Sequence, residues 1–428
     1  MKKFTKNNEF FKEVKEIIPL ASQTFSKSYM QYVKGIAPLF IEKAKGAYVW
    51  DIDGNKYIDM INGLLPIILG YNYPATDKAI IAQLKKGITF SLPSPLEAEL
   101  ARLLIKHIPC AEMVRFGKNG SDATSGAIRV ARAVTKRDYV AVCGYHGWHD
   151  WYIGSTTRDL GVPQSTKEMT KKFEYNNIKS LEDLFQKYPN KFAAVIMEPE
   201  NYETPQAGFL EKVKELTHKN GALLVFDEVI TGFRWDLGGA QKYYGVTPDL
   251  ASFGKSMANG MPISALVGKK QYMKVVEDIF YSFTSGGENL SIAAAIATIK
   301  EIGKKNVLDY IWKLGKKLQD GTNALAEKHG LGEIVHVIGK PCWQIVKIKG
   351  NEKYSDMEIK TYIQQEILEQ GVLWYGSHNM SFAHKESDIK KLLSVYDKVF
   401  KKTADLLKNG KLKEAIRGGL ISTVFKVR

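Results

Sequence analysis

Long apolar runs are missing from this chain. Its most hydrophobic stretches, FAAVIM (192–197) and ALLVF (222–226), have strand length, far short of the roughly 18 residues that cross a bilayer as a helix. A membrane-spanning protein is not expected. Cysteine is equally scarce. Cys110, Cys143 and Cys342 stand far apart with no C-x-x-C pair, which argues against a disulfide framework or a zinc cluster and points to a reducing compartment, the cytoplasm. Internal repeats, low-complexity tracts and long Pro/Gly/Ser linkers are absent. The opening MKKF is followed by neither a continuous apolar core nor a small-residue cleavage site, so no leader is expected. Instead Phe10, Phe11, Val14, Ile17 and Ile18 recur at helical spacing among charged residues. That pattern is an amphipathic helix, docked on the rest of the protein or lying at a membrane surface.

Charge of one sign is in excess, with 61 Lys and Arg against 46 Asp and Glu, a formal net charge of +15. The bases are interleaved with acids, as in KEVKE and EKVKELTHK, so no nucleic-acid partner is expected. The segment 401–428 is more one-sided, and reads as a solvated helix and tail. With 428 residues, 44% hydrophobic and 25% charged, the chain suffices for two or three packed units of an ordinary globular protein.

Short apolar strands alternate with helical patterns through the middle of the chain. The strands are 114–117, 139–144, 192–199, 222–229 and 249–254, with helices at 122–135, 179–188 and 208–219. This predicts an α/β domain with a mainly parallel sheet, whose ligand site lies beyond the carboxyl ends of the strands. The ends differ. Residues 47–60 read as a β-hairpin turning at Asp53-Gly54. After helices at 288–302 and 306–328 come the strands IVHVIG, CWQIVKIKG, GVLWYG and MSFAH, with helices near 356–369 and 386–407. The expected division is an N-terminal segment over 1–65, a large domain over 66–315 and a smaller α+β domain over 316–428.

Three loops carry chemistry. FGKNGSDA (116–123) runs from a strand into a helix starting near Asp122. Unpaired N–H groups and the helix dipole favour an anion there, and Gly117, Gly120 and Ser121 suit a phosphate. Taken alone, it reads first as an ordinary capped helix, with Ser121 or Asp122 as the cap. LLVFDE (223–228) ends a buried strand on two carboxylates, which fits a site, a magnesium ligand or a helix cap. SFGKS (252–256) ends another strand on Lys255, by itself one lysine among many. In that order on one sheet, the three supply an anion cradle, a carboxylate for a ring nitrogen and an amine for a Schiff base. A phosphorylated pyridine aldehyde needs those parts.

The chain resembles the class III, or subgroup II, aminotransferases of the fold-type-I pyridoxal-phosphate enzymes, and within them the glutamate-1-semialdehyde 2,1-aminomutase branch. The likeness runs through GAYVWDIDGNKYID (46–59), PIILGYNYP (66–74), EMVRFGKNGSDATSGAIRVARAVTKRD (112–138) and GYHG (144–147). It continues in LLVFDEVITGFR (223–234), GVTPDLASFGKSMANGMPISALVG (245–268) and TSGGENLSIAAA (284–295). The resemblance implies pyridoxal 5'-phosphate as cofactor, held covalently by Lys255, with Asp227 facing the pyridine nitrogen. It implies Gly120 and Ser121 at the phosphate, Tyr145 and Ile230 on the two ring faces, and Glu198 and Asn201 near the cofactor. Thr284 would reach the phosphate of a neighbouring subunit, which makes the active unit a homodimer. His146 has two readings, structural support or a direct role.

Two departures bear on the substrate. Where the mutase has a carboxylate-reading arginine, SQTFSKS (22–28) puts Lys27 at or near that position, and lysine lacks arginine's bidentate fork. The mutase's small-residue gating loop is replaced by the shorter WHDWYIGSTTRDLGVP (148–163), with Trp148, Trp151 and Tyr152. Trp148 is assigned to the substrate side. Aromatic faces there suit apolar or sugar-ring surfaces, or are simply packing. The expectation is an aminotransferase acting between a small-molecule amino donor and a keto or aldehyde acceptor, including sugar-like or phosphorylated precursors. The mutase reaction is one alternative. A catalytically silent relative that binds or regulates is another, and intact Lys255 and Asp227 argue against it.

Overall fold

The computed structural model describes residues 2–422, and the last six residues of the basic tail lie outside them. The chain forms two units. One joins the N-terminal stretch through Tyr73 with the chain from Asp309 onward, and the other spans Pro74–Leu308.

The Pro74–Leu308 unit is built on a sheet of seven strands: β1 Met113–Gly117, β2 Tyr139–Cys143, β3 Thr170–Lys172, β4 Phe192–Met197, β5 Leu223–Asp227, β6 Leu250–Phe253 and β7 Ser264–Gly268. Their order is β1-β7-β6-β5-β4-β2-β3. The neighbours β6-β5-β4-β2-β3 run parallel, whereas β7 is antiparallel to both β1 and β6. Every residue of β4, β5, β6 and β7 is buried, which is why these strands read as continuous apolar runs rather than alternating ones. The helix Gly120–Thr135 covers one face, packing Ala123, Ala127 and Ala131 against Val140, Val225 and Leu266. Small side chains on the helix let its backbone lie close to the strands.

Sequence periodicity located five of the seven strands to within a few residues. Thr170–Lys172 escaped because TKK is short and polar, and Ser264–Gly268 because it follows the Asn259-Gly-Met-Pro262 turn with no helix between.

In the other unit the hairpin is present, Tyr48–Asp51 pairing antiparallel with Lys56–Asp59. The N-terminal helix Thr5–Ile17 is docked on this unit. Phe10 meets Phe40 with ring centroids 4.8 Å apart. Asn7, buried, accepts the N–H groups of Leu39 and Phe40 and donates to Asp53. Val335–Lys340 and Trp343–Ile348 are strands, as expected, and they pair antiparallel; the third strand of this sheet is Ser377–Asn379. MSFAH (380–384) is not a strand. The His384 ring captures the Ser381 N–H at 3.1 Å, closing a local turn before the helix Glu386–Asn409. No described helix is long and apolar enough to cross a membrane. The three cysteines are free and buried.

Candidate active site

The parallel strands all point their carboxyl ends the same way, and the expected site residues follow those ends. β5 finishes at Asp227, Glu198 follows β4, Tyr145 follows β2, and Lys255 comes two residues after β6. Side chains repeat every second residue along a strand. Val225, Leu250 and Leu266 face the helix Gly120–Thr135 in the core. Asp227, Ser252 and Ser264 are therefore the next residues on that same face, where apolar packing gives way to polar groups. Asp227 sits opposite Ser252. Ser252 Oγ and Ser264 Oγ are buried with no hydrogen-bond partner among the described residues.

Asp227 is buried, and its Oδ2 lies 2.9 Å from Nδ1 of His146 while Oδ1 accepts the Val229 N–H at 3.1 Å. Burial lowers the pKa of the Lys255 amine; the charges of Asp227 and Glu198 oppose that shift, and Arg234 adds to it. Lys255 also holds a left-handed backbone, φ 39°, a strained conformation for a residue with a side chain and one found disproportionately at functional sites. Burial, then the neighbouring Asp227 charge, pushes Glu198 up to about 7. Two carboxylates, an imidazole and an amine thus share one desolvated cluster.

The anion cradle is built around Ser121. The helix begins at Gly120 rather than near Asp122, because Asn119 is the N-cap and the Asp122 carboxylate reaches back to the Lys118 and Asn119 N–H groups at 2.9 and 2.8 Å. Ser121 Oγ accepts the Trp148 N–H at 3.3 Å. A Cβ on Gly147, whose φ is +105°, would stand 2.3 Å from Ser121 Oγ, and one on Gly120 would stand 3.1 Å from Val229. Glycine at 147 therefore lets its loop close on Ser121, while a side chain at 120 would require Val229 to shift by a few tenths of an ångström. A desolvated amine, a buried carboxylate, a helix N-terminus and orphaned hydroxyls form a donor set that fits a phosphorylated pyridine aldehyde.

The remaining expected residues are more dispersed. Ile230 is partly exposed just beyond Asp227. Tyr145 is 44% exposed, its ring set edge-on to Tyr152 at 5.7 Å. Trp148 is 66% exposed, whereas Trp151 and Tyr152 are core residues. Asn201 turns its Oδ1 onto the Glu203 N–H at 2.7 Å. Thr284 is exposed in a cleft of about 620 Å³ that it lines with Phe90, Leu92, Glu97, Arg115 and Phe283. Lys255 and Asp227 are not among the residues lining that cleft. Lys27 belongs to the other unit, exposed on the turn Phe25–Lys27. Two residues at the site were not assigned a place in it from sequence. The sequence gives His146 two readings, and Arg234, fully buried and donating to Ser256 Oγ at 2.9 Å, carries no signal of its own within LLVFDEVITGFR.

Comparison with known proteins bears on this geometry. Residues 29–389 match the family model for class-III aminotransferases. The chain is 36% identical over 394 residues to the 3-aminobutyryl-CoA aminotransferase of Cloacimonas acidaminovorans (strain Evry), covering 90% of this chain and 94% of that protein. The FumI protein of Sphingopyxis sp. MTA144, solved with pyridoxal phosphate, superposes with a TM-score of 0.87 at 30% identity, covering 95% of this chain and 97% of that one. A glutamate-1-semialdehyde aminomutase from Pseudomonas aeruginosa PAO1 shares the fold, with a TM-score of 0.81 at 22% identity and 95% of each chain covered.

Proposed function

The chain belongs to the class-III aminotransferases and uses pyridoxal phosphate, and from that premise we propose that Lys255 holds the cofactor and that the amino donor is a 3-aminoacyl thioester. The convergence of Lys255, Asp227 and the Gly120–Ser121 helix start at one end of the sheet carries the first part. When bound, pyridoxal phosphate supplies a carbonyl that takes up the amino group and a ring that draws off electron density. The protein does the rest. Asp227 holds a proton at the ring nitrogen. The helix-start N–H groups and Ser121 hydroxyl bind the phosphate. Tyr145 and Ile230 cover the ring faces, with Glu198 and Asn201 at its edge. Lys255 Nζ, its amine desolvated, takes the proton from the amino-bearing carbon of the substrate and returns one to the acceptor. Thr284 serves the phosphate of a second subunit, Trp148 is assigned to the substrate, and Lys27 is assigned to it by its place in the sequence alone.

The thioester assignment follows the name of the Cloacimonas relative, and Lys27 supports it. A thioester has no free carboxylate for a bidentate arginine to grip, so lysine in place of the expected arginine loses nothing. The test is a half-reaction. Incubating the yellow holoenzyme with 3-aminobutyryl-CoA should bleach it stoichiometrically, and a keto acid should restore the colour. No bleaching with this donor, alongside bleaching by free amino acids, would sink the thioester. Isomerisation of glutamate-1-semialdehyde with no second substrate would replace transamination by the mutase reaction.

A further inference from the structure

The neighbouring parallel strands β4 and β5 end nearly level, Met197 pairing with Phe226. Beyond that point no backbone hydrogen bond among the described residues joins the two chains that leave them. One chain is the loop from Glu198 to Gln206, which carries Asn201. The other runs from Asp227 past Ile230 to the short helix Ala240–Tyr244. Their spacing is left to side chains.

Glu200 joins them. Its side chain is completely buried, and a buried carboxyl needs donors. Oε2 accepts the Trp235 indole N–H and the Tyr244 hydroxyl, both at 2.5 Å, and Oε1 accepts the Thr204 hydroxyl at 3.0 Å. Thr204 lies on the loop after β4, whereas Trp235 and Tyr244 lie on the segment after β5. One carboxyl group therefore binds both. The rest of the loop is held from elsewhere. Tyr175 donates to the Pro199 carbonyl at 2.8 Å, and Asn176 donates to the Thr204 carbonyl at 3.1 Å and accepts the Gln206 N–H at 2.8 Å. The helix Ala240–Tyr244 is held at its start by Glu228, which accepts the Ala240 and Gln241 N–H groups at 2.6 and 2.8 Å.

The loop so held gives Asn201 one orientation. Its Oδ1 accepts the Glu203 N–H at 2.7 Å. A backbone N–H can only donate, so the amide oxygen is committed there and the NH2 is the end left to donate elsewhere. A donor at that place suits an electronegative atom at the cofactor's edge. We propose that Glu200 is a positioning residue, fastening the loop that carries Asn201 to the segment that carries Asp227 and Ile230, so that the two keep their spacing around the cofactor. This rests on the assignment of Asn201 and Asp227 to the cofactor.

The test compares the apoprotein with the holoenzyme. Glu200→Leu removes the acceptor of the bonds from Trp235, Tyr244 and Thr204. In the apoprotein the Glu203 amide should then exchange its hydrogen on the order of tenfold faster, with the amides of β5 unchanged. Cofactor affinity should fall on the order of tenfold, and adding Asn201→Ala should weaken it little further, because the two act as one unit. In Glu200→Gln the side-chain oxygen can turn to Trp235 and Tyr244, and the NH2 to the Thr204 hydroxyl, which also accepts. Glutamine should therefore rescue both exchange and affinity. Where Glu200→Leu does not fold, Tyr244→Phe removes one donor, keeps its ring and should shift both readouts in the same direction. Unchanged Glu203 exchange in a folded variant, or full additivity with Asn201→Ala, would overturn the proposal. An Asn201→Ala protein that binds cofactor as tightly as the wild type would count against the Asn201 assignment instead, and Glu203 exchange would still decide whether Glu200 fastens the loop.

Discussion

The backbone N–H of Tyr145 donates to Glu198 Oε2 at 3.0 Å, tying a desolvated carboxylate to the loop that carries His146. Gly144 makes room for this bond, since a Cβ there would lie 2.5 Å from Glu198 Oε2. Glu198 therefore gains a donor from the backbone but remains a second acid beside Asp227.

That arrangement has a pH consequence. Burial first, and Asp227 second, raise Glu198 to about 7 in the folded protein, above the ordinary value of about 4.3 for an exposed glutamate. The folded state then binds a proton that the unfolded chain has already released, so this contribution is complete below about pH 4 and is lost as pH rises through about 7. Denaturant titrations of apo wild type and Glu198→Gln should differ in slope across this window, with an amplitude on the order of 1–3 kcal/mol. Glu228, also raised to about 7 by burial, adds a similar slope in both proteins. Parallel pH profiles for the two proteins would show that Glu198 is not raised.

Gly147 and Gly161 form a matched pair. Both have positive φ, +105° and +86°, but a Cβ on Gly161 would meet nothing within 4 Å, whereas one on Gly147 would strike Ser121 Oγ. Alanine at either position incurs backbone strain of about 1–3 kcal/mol. Only Gly147→Ala should also displace Ser121, weakening cofactor binding by roughly tenfold or more, equivalent to about 1.4 kcal/mol. Equal cofactor affinities in the two variants, measured by fluorescence titration, would remove Ser121 from the phosphate site.

Borohydride reduction of the holoenzyme followed by peptide mass spectrometry should find the cofactor's mass on Lys255. Lys255→Ala should keep its fold, because burial, the largest influence on the amine, works against its charge, so the core does not depend on that charge. Its turnover should fall by several orders of magnitude, the combined loss of the covalent anchor and the proton carrier. Modification of another lysine would refute the assignment.

The legibility of this site in the sequence has a physical basis. The Asp227 carboxylate stands out because buried parallel strands are continuous apolar runs, whereas Lys255 gains meaning only from following the phosphate loop and Asp227 in that order on one sheet. The helix start at Gly120 was visible through its glycines, though its boundary was misjudged because Asp122 caps from the third helical position. His146 was a different case. Its meaning comes from a partner 81 residues away, and nothing in the local pattern of GYHG reveals which strand end its ring will meet. MSFAH (380–384) failed as a strand because apolar alternation does not register a histidine that bonds to its own turn. Arg234 is illegible in the sequence because a buried guanidinium has no periodic signature.

Thr284 offers a test of assembly. It is exposed on a cleft with Phe90 and Leu92, themselves 45% and 79% exposed, an apolar rim suited to a second copy of the chain. If its hydroxyl serves the neighbour's phosphate, Lys255→Ala and Thr284→Ala each damage every site in their own homodimers. A mixed dimer differs. One of its sites carries both lesions, while the other joins an intact Lys255 to an intact Thr284. After equimolar exchange half of the dimers are mixed, so about a quarter of wild-type activity should return, starting from two nearly inactive proteins. Cofactor affinity should also rise with protein concentration, since a ligand bound across an interface stabilises it. No recovery, with exchange verified by native mass spectrometry, would place Thr284 outside the neighbour's site.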